Sequence, residues 1–270
     1  MFISLITDCS DDNALNRQSA RLTSYFNAPV SSVRCSFYES EGNGELEAAG
    51  KIIDSLDATG GTEGVVIANT AHRDGKGKKW PNGTPFGYFY FKKTLVISTI
   101  DGYTLSLVKK FNLTPSIHLL DVPTVIDEMI KRGHHENGNR NLVVESQFRS
   151  YEFVPRVAKW ITEGIRVPYG EYSIDNVDDA PKAFWHIDGF GNTLTTLLPE
   201  EVGHKQGKKI KTRFGEITCY NRMKDTPNGE TALIIGSNGI KNQRFVSLFI
   251  QGKSAAKEYG IKTGMGLFVY

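Results

Sequence analysis

The chain has 270 residues, 39% hydrophobic and 23% charged, which is enough for two cores and too apolar for wholesale disorder. Its 32 basic and 30 acidic residues leave a net charge of +2, which excludes a global electrostatic case for nucleic acid or an anionic membrane as partner. The three cysteines, Cys9, Cys35 and Cys219, form no zinc-ligand or redox dithiol pattern and read as reduced, buried thiols.

The opening apolar run, residues 1–6, is too short for a signal peptide or a membrane span. It reads as the first buried strand (residues 2–7) of a cytoplasmic protein, ending in the polar turn 8–13. A helix follows, with Leu15, Leu22 and Phe26 on one face. The spacing of Leu46, Ala49, Ile53 and Leu56 predicts a helix over 45–56. After Gly60-Gly61, the run Val65-Val66-Ile67 has the continuous apolar character of a buried parallel strand. Residues 86–91 and 95–98 predict a hairpin around Lys92-Lys93. Helices are expected over 105–111, over 124–131 with Thr124 as N-cap, and over about 151–164.

The composition shifts at 167–181, which carries two prolines, a glycine and four acidic residues without helical period. This stretch is read as a linker between an N-terminal α/β domain, 1–166, and a C-terminal domain, 182–270. Beyond it, strands are expected over 183–188, 193–198, 209–219, 231–235 and 245–250. The expected architecture is a mostly parallel sheet flanked by helices, followed by a smaller all-β, barrel-like domain.

Candidate site residues sit where strands end. Asp8 and Asn69 follow predicted strands, where ligands bind in open α/β sheets. Asp8 either accepts bonds from a ribose diol or caps the next helix. The segment Asp188-Gly189-Phe190-Gly191-Asn192 is either a ligand-binding turn or an ordinary hairpin. As a binding turn, Phe190 offers a flat face to a purine, Asn192 an amide to a base edge, and Asp188 a carboxylate to an ammonium. The stretch 236–239 reads as a turn presenting Ser237 and Asn238. The basic stretch 76–79 is an exposed loop or a lid. No metal cluster, dinucleotide fingerprint, phosphate loop or nucleophile elbow is present.

These motifs together resemble the S-adenosylmethionine hydroxide adenosyltransferase family, which also contains the fluorinase and chlorinase enzymes. Ile6-Thr7-Asp8 with Asp11-Asp12 resembles its opening Thr-Asp-Phe-Gly stretch. Val65-Val66-Ile67-Ala68-Asn69 resembles the strand before its Asp-Pro-Gly-Val-Gly loop, and Asp101-Gly102 its Pro-Asp-Asn-Gly. Phe153-Val154-Pro155 is similar to its Phe-Ala-Pro helix start. Asp188 to Asn192 matches Asp-x-Phe-Gly-Asn, followed by Thr193 and Thr196. Ser254-Ala255-Ala256 and Gly260 to Gly264 resemble the family's ending.

The resemblance implies a homotrimer with S-adenosylmethionine held between neighbouring subunits as substrate, no further cofactor, and no nucleic acid or membrane partner. It implies substitution at the ribose 5′ carbon, with water or a halide displacing methionine. Asp8 would hold the ribose hydroxyls, Asp188 the ammonium, Phe190 and Asn192 the adenine. Ser237 and Asn238 would lie near the methionine carboxylate, and the Gly252 backbone near the adenine edge. The nucleophile pocket falls on Asn69, Thr70, His72 and Arg73. Asn69 and Phe148 stand where hydroxide-using members carry aspartate and histidine, and Asn238 stands where an arginine is common. The other reading is a non-catalytic adenosyl-ligand sensor or scaffold; a third is a phosphate or nucleic-acid binder using the basic loops.

Overall fold

The computed structural model describes residues 1–37, 42–70, 80 and 83–269. His72, Arg73 and the basic stretch 76–79 lie outside the described residues. The first half begins with β1 (Phe2–Thr7), α1 (Asp12–Phe26), β2 (Val30–Arg34), α2 (Gly44–Thr59) and β3 (Gly64–Asn69). The hairpin β4 (Phe86–Phe91) and β5 (Thr94–Thr99) follows, then α3 (Ser106–Lys110), β6 (Ser116–Leu120) and α4 (Val122–Lys131). The half closes with α5 (Arg140–Val144), α6 (Arg149–Glu152), α7 (Val154–Thr162) and β7 (Gly170–Ser173).

These strands form one sheet in the order β2-β1-β3-β5-β4-β6-β7. The β2-β1-β3-β5 part is parallel, and β4, β6 and β7 extend it antiparallel. Successive side chains point to opposite faces, and both faces are apolar because both are covered. Ile3, Leu5, Val65, Ile67, Leu95 and Ile97 pack with α1, α4 and α7. Ile6, Val66, Ala68 and Val96 pack with α2 and α3.

Local chemistry sets the helix ends. Asp11 caps α1 by accepting from the Ala14 N–H, and Asn43 caps α2 by accepting from Leu46. The cap of α4 is Asp121, not Thr124; the carboxylate accepts from both the Thr124 N–H and its hydroxyl. The helix expected over about 151–164 is two helices meeting at Phe153, with Pro155 in the first turn of the second, where a missing N–H costs nothing. Within the stretch read as a linker, Gly170–Ser173 forms an edge strand on β6. β2, β6 and β7 were not legible as strands; β2 and β7 are polar, half-exposed edges held by backbone pairing.

The second half contains β8 (Phe184–Ile187), β9 (Thr193–Thr195), α8 (Pro199–Val202), β10 (Lys209–Thr212) and β11 (Gly215–Tyr220). It ends with β12 (Thr231–Ile240), β13 (Gln243–Ile250) and α9 (Ala255–Tyr259). The sheet order is β10-β11-β12-β13-β9-β8. The tail draws its two edges together: Gly266 bridges Ala183, and the Arg213 N–H donates to Leu267 O. This gives the barrel-like character. The run expected as one strand over 209–219 is the β10–β11 hairpin, turning before Gly215 at φ 102°. The turn expected over 236–239 lies inside β12 as a bulge between Ile235 and Gly239; the chain reverses after Ile240 instead.

α2 joins the two halves. Gly50 faces Trp185 of β8, which is 1% exposed. A Cβ at position 50 would stand 2.0 Å from Trp185 Cε3. Alanine would gain about 1 kcal/mol of helix propensity. Overpacking against a rigid buried ring costs about 1–3 kcal/mol or more and outweighs that gain. Gly50→Ala is expected to lower the melting temperature by about 4–8 °C, for a net loss of about 2 kcal/mol. An unchanged or raised melting temperature would show that α2 is free to move off Trp185.

Candidate functional site

β1 sends its connection through α1 to β2 on one side, and the chain returns through α2 to β3 on the other side of β1. α1 and α2 lie on opposite faces of the sheet. The carboxyl ends of β1 and β3 therefore form the crevice where such sheets bind ligands. Asp8 and Asn69 are the residues at those ends.

Backbone and side-chain bonds fix them. The Asp8 N–H donates to Asn69 O at 3.1 Å. Asn69 Nδ2 donates to Thr7 Oγ1 at 3.2 Å and reaches Cys9 Sγ at 3.6 Å. Thr70 is buried; its hydroxyl shares a 2.7 Å bond with Thr104, and its N–H donates to Thr99 Oγ1. An open cleft of about 610 Å³ lies beside this point, walled by Asp8, Cys9, Asp11, Arg34, Phe37 and Phe148 among others. Phe148 stacks on Tyr151 at 5.5 Å, and the Arg17 guanidinium sits over both rings. Arg34 pairs with Asp12 at the mouth. Burial pushes the nearby Cys35 thiol up to about 12, so it is no nucleophile near neutral pH. The cleft offers the carboxylates of Asp8 and Asp11, the Arg34 guanidinium and aromatic faces. The nearby Asn69, Thr70 and Thr104 side chains carry no group that titrates near neutrality.

The structure shows what the Asp188 segment is made of. Asp188 Oδ1 accepts from the Phe190 and Asn192 N–H groups, both at 2.9 Å, and Oδ2 accepts from Asn192 Nδ2 at 2.8 Å. The turn is thus held by its own first residue. Gly191 has φ 84°, and a Cβ there would stand 1.9 Å from Ser254 Oγ. The Ala256 N–H donates to Gly191 O, so the turn and the start of α9 form one unit. Phe190 projects from it, 83% exposed. His186, just before the turn, is held below the ordinary imidazole range by burial and by Lys51.

The other expected site residues lie apart from the cleft. Asn238 donates to Asp54 of α2 at 2.5 Å, an inter-domain contact. Ser237 is exposed on β12, its carbonyl accepting from Arg244. Gly252 is an exposed turn residue with φ 84°. Among the described residues, none from the second half lines the Asp8 cleft. Sequence reasoning missed Arg34 and Phe37, which follow from the parallel register of Thr7 with Arg34. No group of three or more metal-ligating side chains occurs among the described residues. No helix there is long and apolar enough to cross a membrane.

Residues 183–267 match the family model of the SAM hydroxide adenosyltransferase C-terminal domain. The fold is shared with an uncharacterized conserved protein from Thermotoga maritima, at TM-score 0.65 and 13% identity, over 97% of this chain and 98% of that one. It is also shared with a conserved hypothetical protein from Thermus thermophilus, at TM-score 0.56 and 15% identity, over 98% and 97%. No curated protein matches the sequence.

Proposed function

We propose, from a second half that matches the SAM hydroxide adenosyltransferase C-terminal domain over residues 183–267, that this chain binds S-adenosylmethionine or adenosine and acts at the ribose 5′ carbon with release of methionine. The observation that carries this reading is the matched segment itself, with its Asp188–Asn192 turn built and Phe190 left exposed. A sulfonium is already a good leaving group. The protein's task is to strip water from the nucleophile and hold it in line behind the carbon.

On this reading, Asp8 receives the ribose diol at the β1 end, and Phe148 and Phe37 give the cleft an apolar wall. Phe190 covers the purine. Asn192 Nδ2 is engaged by Asp188, which leaves the amide oxygen as the acceptor for an exocyclic amine. Asp188 Oδ2 keeps acceptor capacity for an ammonium. Among the described residues the cleft and the turn share no wall, which is compatible with a site completed by a neighbouring subunit, as in a trimer.

The test is calorimetric titration with adenosine and S-adenosylmethionine. Asp8→Ala removes hydrogen bonds to a charged group, each worth about 1.5–3 kcal/mol, so affinity should fall by at least tenfold. Affinity should also weaken on dilution below the assembly's own dissociation constant. No heat with either ligand at millimolar concentration, or a strictly monomeric mass by light scattering, would count against the respective claim. One observation favours the non-catalytic alternative: the Asn69 amide is tied to Thr7 and Cys9, not presented as a base.

A further inference from the structure

We propose that a second cavity, on the β4–β6–β7 side of the same sheet edge, binds a small apolar monocarboxylate anchored by Arg149. The cavity measures about 290 Å³, and Pro85, Leu119, Leu120, Val122 and Gly170 make its wall mainly apolar. The pairings of Phe86 with Leu120 and of Leu119 with Gly170 place it at the carboxyl end of β6.

Two charged side chains reach the wall, Asp121 and Arg149. The Asp121 carboxylate is engaged as the α4 cap. Arg149 Nη2 donates to Thr84 O at 2.8 Å, and its guanidinium lies 5.9 Å from the Phe86 ring centre. No carboxylate among the described residues stands within ion-pair distance of it. Burial alone holds its pKa below the ordinary guanidinium value, with no counter-charge opposing. Arg21 and Arg156 share Glu152, Arg140 has Asp127, and Arg244 has Asp57. Arg149, half-buried, therefore carries unused donors toward a mainly apolar wall, and a partly desolvated guanidinium without an anion is costly.

The ligand chemistry follows from the surroundings. At about 290 Å³ the cavity lies at the small end of ligand pockets and suits a compact ligand. Its wall asks for an apolar body. The N-terminus of α4 favours a negative charge, while Asp121 at the wall disfavours a second one. A branched aliphatic monocarboxylate fits; a phosphate dianion does not.

The probes are 4-methylpentanoate, its neutral amide and inorganic phosphate, titrated without any adenosyl ligand, so that the outcome is independent of the function proposed above. The carboxylate is expected to bind saturably at millimolar concentration and raise the melting temperature. The amide and phosphate should bind at least tenfold more weakly. Arg149→Met should abolish carboxylate binding and leave the unliganded melting temperature unchanged or higher, because a desolvated charge is removed. Arg149→Lys should weaken binding at least tenfold, since the planar fork is lost. No saturable carboxylate binding, equal binding of the amide or of phosphate, or binding retained in Arg149→Met would overturn the proposal. If Arg149→Met does not fold, full affinity in Arg149→Lys would overturn it.

Discussion

Incubated with S-adenosylmethionine in halide-free buffer, the protein is expected to release adenosine far more slowly than an ordinary enzyme turns over. On the proposed function, water must be positioned behind the 5′ carbon and relieved of a proton. General acid–base assistance contributes about 10²–10⁴-fold, and Asn69 and Phe148, among the described residues, do not supply it. Asn69 does not titrate, and its amide hydrogens already reach Thr7 and Cys9. Phe148 brings an aromatic face, stacked on Tyr151, where the resemblance places a histidine. An apolar wall instead suits a weakly hydrated halide, because less water has to be removed. Product identification by mass spectrometry in water, chloride and fluoride is the measurement. Adenosine release near the ordinary ~10 s⁻¹, abolished by His72→Ala, would sink the prediction and name the replacement base. Adenosyl binding without any product would favour the sensor reading.

Asp54→Asn is expected to stabilise the protein by about 2–3 kcal/mol at about pH 8 and by little near pH 4. Asp54 lies on α2 at the contact between the two halves. Burial raises its carboxyl from 3.8 to about 6, against the opposing bonds from Asn238 and the Gly239 N–H. Below about pH 4 the group is protonated in both folded and unfolded chains, and its contribution to stability is fully present. As pH rises toward and through 6, the unfolded chain has already released the proton while the folded one must ionise a buried carboxyl, so that contribution is lost. Asparagine does not titrate, and its carbonyl still accepts from Asn238. Urea unfolding of both proteins across this range is the check. Equal or lower stability of the variant at the higher pH would mean that Asp54 is ionised there without penalty, supported by Arg244.

The extent to which each element was legible follows from the forces that hold it. The two-sided apolar runs of β1, β3 and β5 announce a covered parallel sheet, because each residue in them is buried whichever face it takes. The spacing signal of α2, and the Asp188–Asn192 turn with its glycines, are equally local. The position of Asp8 past β1 follows from the first of these. β2 and β7 gave no signal, since edge strands are held by backbone pairing and their side chains face water. The direction in which Asn238 points was also illegible. It meets Asp54 across 184 residues, and no local period encodes that contact. Only the packed chain shows that Asp188 and Asn192 bind each other, that Arg34 and Phe37 join the Asp8 cleft, and that Arg149 enters a cavity with no carboxylate among the described residues at ion-pair distance. Each of these depends on which side chains the packing of helices on the sheet brings within hydrogen-bond reach, and sequence spacing does not carry that information.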